Sequence, residues 1–353
     1  MTFSETAFQA GVLKEWRMYA IHHDALNRKL KDHPIDEQGL RLVLRENIAT
    51  LSSFFQENEE WATSLLPSIE GQVSALEPRL AARAQNSEKA KGDWWDLVRD
   101  YIYVKARVFQ FHKELKLLLG FLDLNKAALA NILEKLDEVL GSSRLKTEIE
   151  SILGANKALN GAVLAGLKNK SNLLLQCLQS YRLLFQDEWR GRILLTSGGF
   201  DLFHRGHQNL LEFVRGVGGK HLWALLPNDE TFFLTKKKVP IDNFEARMAN
   251  VAAFVDEVHP WSIPPEGEVH RSLDFLARCL VSILERKGVE PSQCIFFTSE
   301  EYKHLVKKEV LPVSMAPISF LLLPRTERCS STWIRAAYHH DGELPNIDVN
   351  HET

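Results

Sequence analysis

Hydrophobic and polar positions follow two different patterns along the chain, and the change falls near residue 190. In the first part, apolar residues recur mostly at spacings of three and four, which predicts long amphipathic helices packed in a bundle. Two such stripes are Leu40, Val43, Leu44, Ile48, Leu51 and Phe55, and Leu97, Tyr101, Val104, Val108, Phe111, Leu115 and Leu118. In the second part, short apolar runs alternate with helical patterns, which predicts buried parallel strands joined by crossover helices.

The predicted fold is therefore a helical bundle followed by an α/β domain with a doubly wound parallel sheet. The predicted strands are Ile193–Thr196, Leu222–Leu226, Val255–Val258, Cys294–Phe297 and Ile318–Leu323. The helical patterns between them are Gln208–Val217, Asn243–Phe254, Ser272–Lys287 and Glu300–Lys308. We place a helical domain at residues 1–186, an α/β domain at 187–340 and a loose acidic tail at 341–353.

Composition narrows the class of protein. A chain of 353 residues is long enough for two domains, and a formal charge of -3 gives no general attraction for nucleic acid or an anionic membrane. The apolar runs are too short to span a bilayer. The four cysteines lack metal-type spacing and residues 1–10 lack a signal peptide pattern, so we expect free thiols and a cytoplasmic protein.

The main candidate for chemistry is the segment Gly198–His207, which follows the first predicted strand and opens a helix. Glycines let backbone N–H groups approach a phosphate, and a helix start adds unpaired N–H donors. His204 and His207 are one turn apart and would grip a phosphate at the carboxyl edge of the sheet. Two histidines near a helix start can also be simple caps or surface residues.

This segment resembles the signature of the cytidylyltransferase-like nucleotidyltransferases, and the resemblance extends over about residues 192–337. Four further runs resemble segments of glycerol-3-phosphate cytidylyltransferase. Its lysine loop corresponds to Lys236–Lys238 and its arginine-bearing helix to Phe244–Arg247. Its VDEV strand corresponds to Val255–Val258 and its nucleotide-binding segment to Pro324–Arg335. The chain departs from that enzyme at Gly198, Phe297–Tyr302, Arg328 and Cys329, near the nucleotide. The nucleotide could therefore be CTP, which we favour, or ATP.

The resemblance implies in-line attack by a phosphate oxygen of the acceptor on the α-phosphorus of the nucleoside triphosphate. It assigns catalysis to His204, His207, Lys238 and Arg325. It assigns nucleotide binding to Gly199, Phe200, Asp201, Lys236, Arg247, Thr326, Ser330, Ser331 and Thr332. Mg²⁺ is expected on the triphosphate, and no metal ligand is assigned to the chain. Taken singly, the lysines could be a solvated loop and Ser330–Thr332 a helix cap.

The helical half resembles an SPX domain over about residues 1–154, on the runs Glu15–Leu26 and Leu124–Asp137. SPX domains are sensors of inositol pyrophosphates. Of the lysine cluster on the later helix only Lys135 is retained, and Lys29 is a further candidate for an inositol-phosphate contact. The other ligand positions are His23, Asn27, Asn131, Glu134 and Glu138. Because carboxylates repel a highly anionic ligand, we expect the scaffold to be kept and the ligand pocket to be lost.

Three functions follow. The first is a cytidylyltransferase that transfers CMP from CTP to a phospho-alcohol such as glycerol 3-phosphate and releases pyrophosphate. The second is an adenylyltransferase of the same fold, and the third is a non-catalytic phosphate or inositol-phosphate sensor. The expected partners are a nucleoside triphosphate and a small phosphorylated alcohol, without nucleic acid or a membrane span, and the resemblance also allows for a homodimer.

Overall fold

A computed structural model describes residues 16, 19–30, 36–85, 94–264, 272–307, 310–327 and 329. The chain forms two compact units. One comprises Met1–Gln72 with Phe111–Gln176, and the other comprises Val73–Gln110 with Cys177–Thr353. Both units are therefore assembled from separate stretches of sequence.

The first half of the chain is helical. The helices described up to Ser180 are α1 (His23–Lys29), α2 (Glu37–Ala84), α3 (Trp94–Leu140), α4 (Arg144–Ala155) and α5 (Ala162–Ser180). Both predicted stripes are buried on α2 and α3, except for the half-buried Val43. In the first unit, the rings of Trp16, Phe54 and Phe121 pack with centroids 5.2 to 5.6 Å apart.

The second half is built on a five-stranded parallel sheet. Its strands are β1 (Ile193–Ser197), β2 (His221–Pro227), β3 (Glu257–Trp261), β4 (Cys294–Ser299) and β5 (Ser319–Leu323). They lie in the order β3-β2-β1-β4-β5, and each neighbouring pair is parallel. The prediction of a helical region followed by a parallel α/β domain is confirmed.

The helices of the second half are α6 (Gln186–Trp189), α7 (Arg205–Val217), α8 (Asp229–Lys236), α9 (Phe244–Ala252) and α10 (Ser272–Lys287). The helix predicted over Glu300–Lys308 is wrong. The structure has a 3-10 helix at Glu300–Tyr302, followed by turns. Backbone N–H groups here donate to the carbonyl three residues earlier, as from Lys303 to Glu300 at 3.0 Å. The apolar spacing of this segment was therefore not sufficient to predict an α-helix.

The sheet buries its apolar faces against helices. Leu195, Trp223 and Phe296 lie side by side on β1, β2 and β4 and pack with Leu280 and Leu284 of α10. No helix in the described ranges is both long enough and apolar enough to cross a bilayer.

Residues 73–110 belong to the same compact unit as the sheet, although the predicted boundary placed all of residues 1–186 in the helical domain. Aromatic packing accounts for this grouping. The ring of Tyr101 stacks on Phe185 at 4.2 Å between centroids, and Phe109 lies 5.7 Å from Phe213 of α7. The beginning of α3 thus packs beside the sheet.

Candidate active site

A cavity of about 270 Å³ opens at the carboxyl ends of the central strands. The chain turns to one side of the sheet after β1 and reaches the other side only with β4, so this is where the strand order reverses and where open α/β sheets bind ligands. Its lining includes Thr196, Ser197, Gly198, Gly199, Phe200, Asp201, His204, Gly206, His207, Lys236, Ser299, Glu301, Tyr302, Arg325, Thr326, Cys329 and Gln110. The structure therefore brings most of the predicted site together.

The two histidines cap α7 through their own side chains. Nδ1 of His204 accepts a hydrogen bond from the N–H of Gly206 at 3.1 Å, and Nδ1 of His207 accepts one from the N–H of His204 at 3.4 Å. A ring nitrogen that accepts from an N–H carries no proton, so the proton of each neutral imidazole is on Nε2. Both stacked rings, 3.8 Å apart between centroids, thus keep an Nε2–H donor for a ligand in the cavity.

Both imidazoles are neutral near pH 7. Burial lowers the pKa of His204 to about 4, assisted by the positive charges of Arg205 and Arg325 and opposed by Asp201. Burial, followed by the charge of His204, also lowers the pKa of His207 well below its usual value. The pair therefore offers hydrogen bonds to a phosphate without carrying positive charge itself.

The turn before the histidines is tightly constrained. Phe200 and Leu202 adopt positive φ angles of 51° and 49°, which residues other than glycine rarely adopt. A Cβ atom on Gly199 would lie 2.4 Å from the ring of Phe232, so this position requires glycine. The turn can therefore bring its backbone close to a ligand.

Arg247 lies behind this turn and is fully buried. Its guanidinium donates to the carbonyls of Gly199 at 2.7 Å and Pro227 at 2.8 Å, and to Asp229 Oδ1 at 2.8 Å. It is not among the residues lining the cavity. Arg247 therefore holds the glycine turn in place through its hydrogen bond to the Gly199 carbonyl.

Asp201 connects the turn to the loop that follows the lysines. Its Oδ1 accepts from the N–H groups of Ile241 and Asp242, both at 2.9 Å. Of the lysines, Lys236 lines the cavity and donates from Nζ to the hydroxyl of Tyr302 at 2.7 Å. Lys238 is exposed and does not line the cavity.

The segment after β5 contributes a second wall. Arg325 is exposed and reaches Glu301, with 3.4 Å between NH1 and Oε2. Thr326 is buried, and its hydroxyl accepts from Asn209 Nδ2 at 3.4 Å. The predicted nucleotide contacts Ser330, Ser331 and Thr332 lie outside the described residues.

The sequence assigned no site role to several side chains of the cavity, although Ser299 and Cys329 lie in segments where the chain departs from the enzyme that it resembles. The hydroxyls of Thr196 and Ser299, at the ends of β1 and β4, are buried without a hydrogen-bond partner in the described part of the chain. Such groups are costly unless a ligand or water satisfies them. Gln110 also lines the cavity, and Cys329 Sγ lies 3.3 Å from His204 Nδ1. Gln110 belongs to neither of the apolar stripes that the sequence showed, so no local pattern marked it.

A larger cleft of about 990 Å³ lies beside β5, lined partly by Trp95, Tyr103, Lys303 and Phe320. It contains neither the glycine turn nor the histidine pair. The smaller cavity is therefore the candidate active site.

In the first unit, four of the residues at the positions predicted from the SPX resemblance bond to one another. Lys135 Nζ donates to Asn27 Oδ1 at 2.9 Å, Asn27 Nδ2 lies 2.9 Å from His23 Nδ1, and His23 Nε2 lies 3.2 Å from Asn131 Oδ1. Lys29 is exposed at the end of α1. The retained lysine is thus already engaged by a neighbouring amide.

Residues 195–337 match the model of the Cytidylyltransferase-like family. Over 94 residues the chain is 33% identical to a probable ethanolamine-phosphate cytidylyltransferase of Encephalitozoon cuniculi, covering 26% of this chain and 29% of that protein. Over 103 residues it is 37% identical to a probable choline-phosphate cytidylyltransferase of Schizosaccharomyces pombe, covering 28% of each protein. It is also 37% identical over 75 residues to the bifunctional protein HldE of Haemophilus influenzae, covering 21% of this chain and 15% of HldE.

The chain thus spans less than a third of the length of these curated relatives. The matched range contains the glycine turn, both histidines, the lysine loop and Arg325. The prediction of a cytidylyltransferase-like domain is confirmed over residues 195–337. The SPX resemblance concerns residues before this range and stays a prediction.

Proposed function

We propose that this protein transfers CMP from CTP to a small phosphorylated alcohol and releases pyrophosphate. The main support is the pair of neutral histidines that caps α7 at the mouth of the sheet, within a cytidylyltransferase-like domain. The sequence favoured an acceptor like glycerol 3-phosphate. Two relatives are named for ethanolamine phosphate and choline phosphate, so the acceptor class we propose includes these amino-alcohol phosphates.

In the proposed reaction, a phosphate oxygen of the acceptor attacks the α-phosphorus of CTP in line. A new P–O bond forms, the bond from the α-phosphorus to the bridging oxygen of pyrophosphate breaks, and its electrons leave with pyrophosphate. His204 and His207 donate from Nε2–H to the non-bridging and bridging oxygens, where negative charge increases. Since these donors are fixed before substrate arrives, they stabilise the transition state without reorganisation.

The cations supply the complementary charge. Arg325 and Lys236 line the cavity and, in the proposed complex, exchange Glu301 and Tyr302 for phosphate oxygens. Lys238 is exposed on the loop just before the segment held by Asp201, and we propose that it reaches the phosphates from there. The contacts of Arg247 favour a positioning role, in which it acts on the nucleotide through the Gly199 turn.

Mg²⁺ is proposed to enter with the triphosphate. Asp201 and Glu301 are carboxylates lining the cavity, and Mg²⁺ commonly needs one or two carboxylates besides substrate phosphates, so these residues fit an ion carried by the substrate. When bound, it supplies positive charge to the triphosphate.

For the helical half, we propose an SPX-like scaffold that binds inositol pyrophosphates weakly or not at all. The hydrogen-bonded chain from Lys135 through Asn27 and His23 to Asn131 supports this, because a phosphate would have to displace the Asn27 amide that already accepts from Lys135. The helical half then acts as an assembly or regulatory module.

The test is a screen of the full-length protein with CTP or ATP against glycerol 3-phosphate, phosphoethanolamine and phosphocholine, read by pyrophosphate release and by the mass of the product. We expect CTP to support turnover with at least one acceptor. Turnover with ATP alone would establish the adenylyltransferase alternative. No turnover with any pair, at the level of a His204→Ala, His207→Ala control, would refute the proposal and favour a non-catalytic sensor.

A further inference from the structure

The active-site cavity has a wall that comes from outside the matched domain. Gln110, on α3, lines the cavity, whereas the family match begins only at residue 195. Tyr103 lies seven residues earlier on the same helix. Seven residues make about two helical turns, so the two side chains project from the same face about 10 Å apart along the axis.

Gln110 bonds directly to the peptide that joins Pro324 to Arg325, and Tyr103 is linked to the same peptide through Glu300. The side-chain amide of Gln110 donates from Nε2 to the carbonyl of Pro324 at 2.9 Å, in a buried position. The hydroxyl of Tyr103 donates to Oε2 of Glu300 at 2.7 Å, and Oε1 of Glu300 accepts from the N–H of Arg325 at 3.4 Å. The carbonyl and the N–H of one peptide unit are thus both held from α3, one directly and one through Glu300.

This peptide needs such partners because β5 has already ended at Leu323. Its polar groups lie beyond the ladder that pairs β4 with β5, whose last register pair is Ser299 with Leu323. A buried carbonyl without a partner would be costly, and Pro324 is buried. The contacts from α3 therefore fix the backbone from which the Arg325 side chain leaves.

The helix that supplies these contacts is itself firmly held. Val104, Ala106 and Val108, which lie between the two side chains, are buried, and Tyr101 donates its hydroxyl to the carbonyl of Leu178 at 3.1 Å. Burial raises the pKa of Tyr103 to about 12, with Glu300 acting in the same direction, so its hydroxyl remains a donor across the physiological range. A rigid support transmits its position to the loop that it holds.

We propose that Tyr103 and Gln110 are positioning residues of the active site, which orient the Pro324–Arg325 peptide so that Arg325 meets the nucleotide. This inference rests on the proposed function for its kinetic consequences, although the contacts themselves do not. It also means that the cytidylyltransferase-like domain has a specific wall supplied by an element far away in the sequence.

Substitution of the two side chains tests the proposal in the full-length chain. Tyr103→Phe removes only the hydroxyl, and Gln110→Met removes the donor at similar volume. Each loses one hydrogen bond, so we expect roughly a 3- to 10-fold fall in kcat/KM for CTP. Tyr101→Phe is the matched control, because it removes a tyrosine hydroxyl from a buried bond on the same helix without touching Arg325; its kinetics should stay unchanged.

A double-mutant cycle separates positioning from a general loss of stability. If Tyr103 and Gln110 act through Arg325, their substitutions should have little further effect in an Arg325→Ala background. Equal fold losses in both backgrounds, or unchanged kinetics in the single variants, would overturn the proposal.

A second measurement does not depend on turnover. Hydrogen–deuterium exchange of peptides covering residues 320–327 should be faster in Tyr103→Phe and in Gln110→Met than in the wild type, but not in Tyr101→Phe. A wild type that turned over no substrate pair would refute the proposed function. The exchange rates would still show whether Tyr103 and Gln110 hold the Pro324–Arg325 peptide. Unchanged exchange in both variants would refute it.

Discussion

The substitution His204→Asn would separate the two roles that the structure gives this side chain. The imidazole caps α7 by accepting from the N–H of Gly206 through Nδ1, and it carries a separate donor at Nε2. Asparagine is among the best N-cap residues, and its side-chain oxygen can accept the same kind of backbone N–H. It cannot reproduce a donor at the far side of an imidazole ring. Alanine loses both functions.

The expected magnitudes differ for the two roles. Loss of an N-cap lowers the free energy of unfolding by about 1 kcal/mol. Loss of a fixed donor to the transition state typically lowers kcat by roughly 100- to 1000-fold, or about 2.7 to 4 kcal/mol. We therefore expect His204→Ala to lose both stability and turnover, whereas His204→Asn should stay close to the wild type in stability and lose turnover to the same extent.

The assay combines pyrophosphate release at saturating CTP and acceptor with urea unfolding of the same preparations. His221→Asn is the control, since this histidine is exposed at the start of β2 and does not line the cavity. Full turnover in His204→Asn, together with reduced stability in His204→Ala, would show that His204 is only a helix cap and would refute the catalytic role.

Three further predictions follow from other features. The pKa values of His204 and His207 are lowered in the folded protein, so as pH falls these side chains are protonated in the unfolded chain before they are protonated in the folded one. The free energy of unfolding should therefore fall as pH drops from about 6.5 towards 4. Urea titrations should show a shallower fall in the His204→Asn, His207→Asn double variant. Arg247→Lys keeps the charge but cannot make all three bonds, so it should lower both the melting temperature and kcat, and an unchanged melting temperature would contradict its place behind the turn. Calorimetric titration of the full chain with inositol hexakisphosphate near physiological salt should give millimolar binding or none; micromolar binding abolished by Lys29→Ala or Lys135→Ala would contradict the lost-pocket interpretation.

The fold could be predicted where local pattern and burial coincide. Strands of a parallel sheet are covered on both faces, so four of them are visible in the sequence as apolar runs. The edge strand β3 was predicted two residues too early, because its second half contains His259 and Pro260 rather than an apolar run. Proline is tolerated there since an edge strand has one unpaired side.

The candidate site could be predicted only as far as its motif extends. The glycine turn and the histidines are contiguous, so their arrangement follows from one strand–turn–helix unit. The bond from Gln110 to Pro324 joins residues 214 positions apart, and no local pattern specifies such a pair. Arg247 illustrates the same limit, because only the packing of α9 shows that its guanidinium faces protein oxygens.

The interleaving of the two compact units has a consequence for biosynthesis. Each unit needs a chain segment that is made before residue 111 and another that is made after it. During synthesis, Gln110 on α3 therefore cannot form its hydrogen bond to Pro324 until the last strands of the sheet have left the ribosome. A single cut or a premature stop between residues 111 and 176 would leave both units incomplete, so neither unit can be separated as an intact module within that stretch.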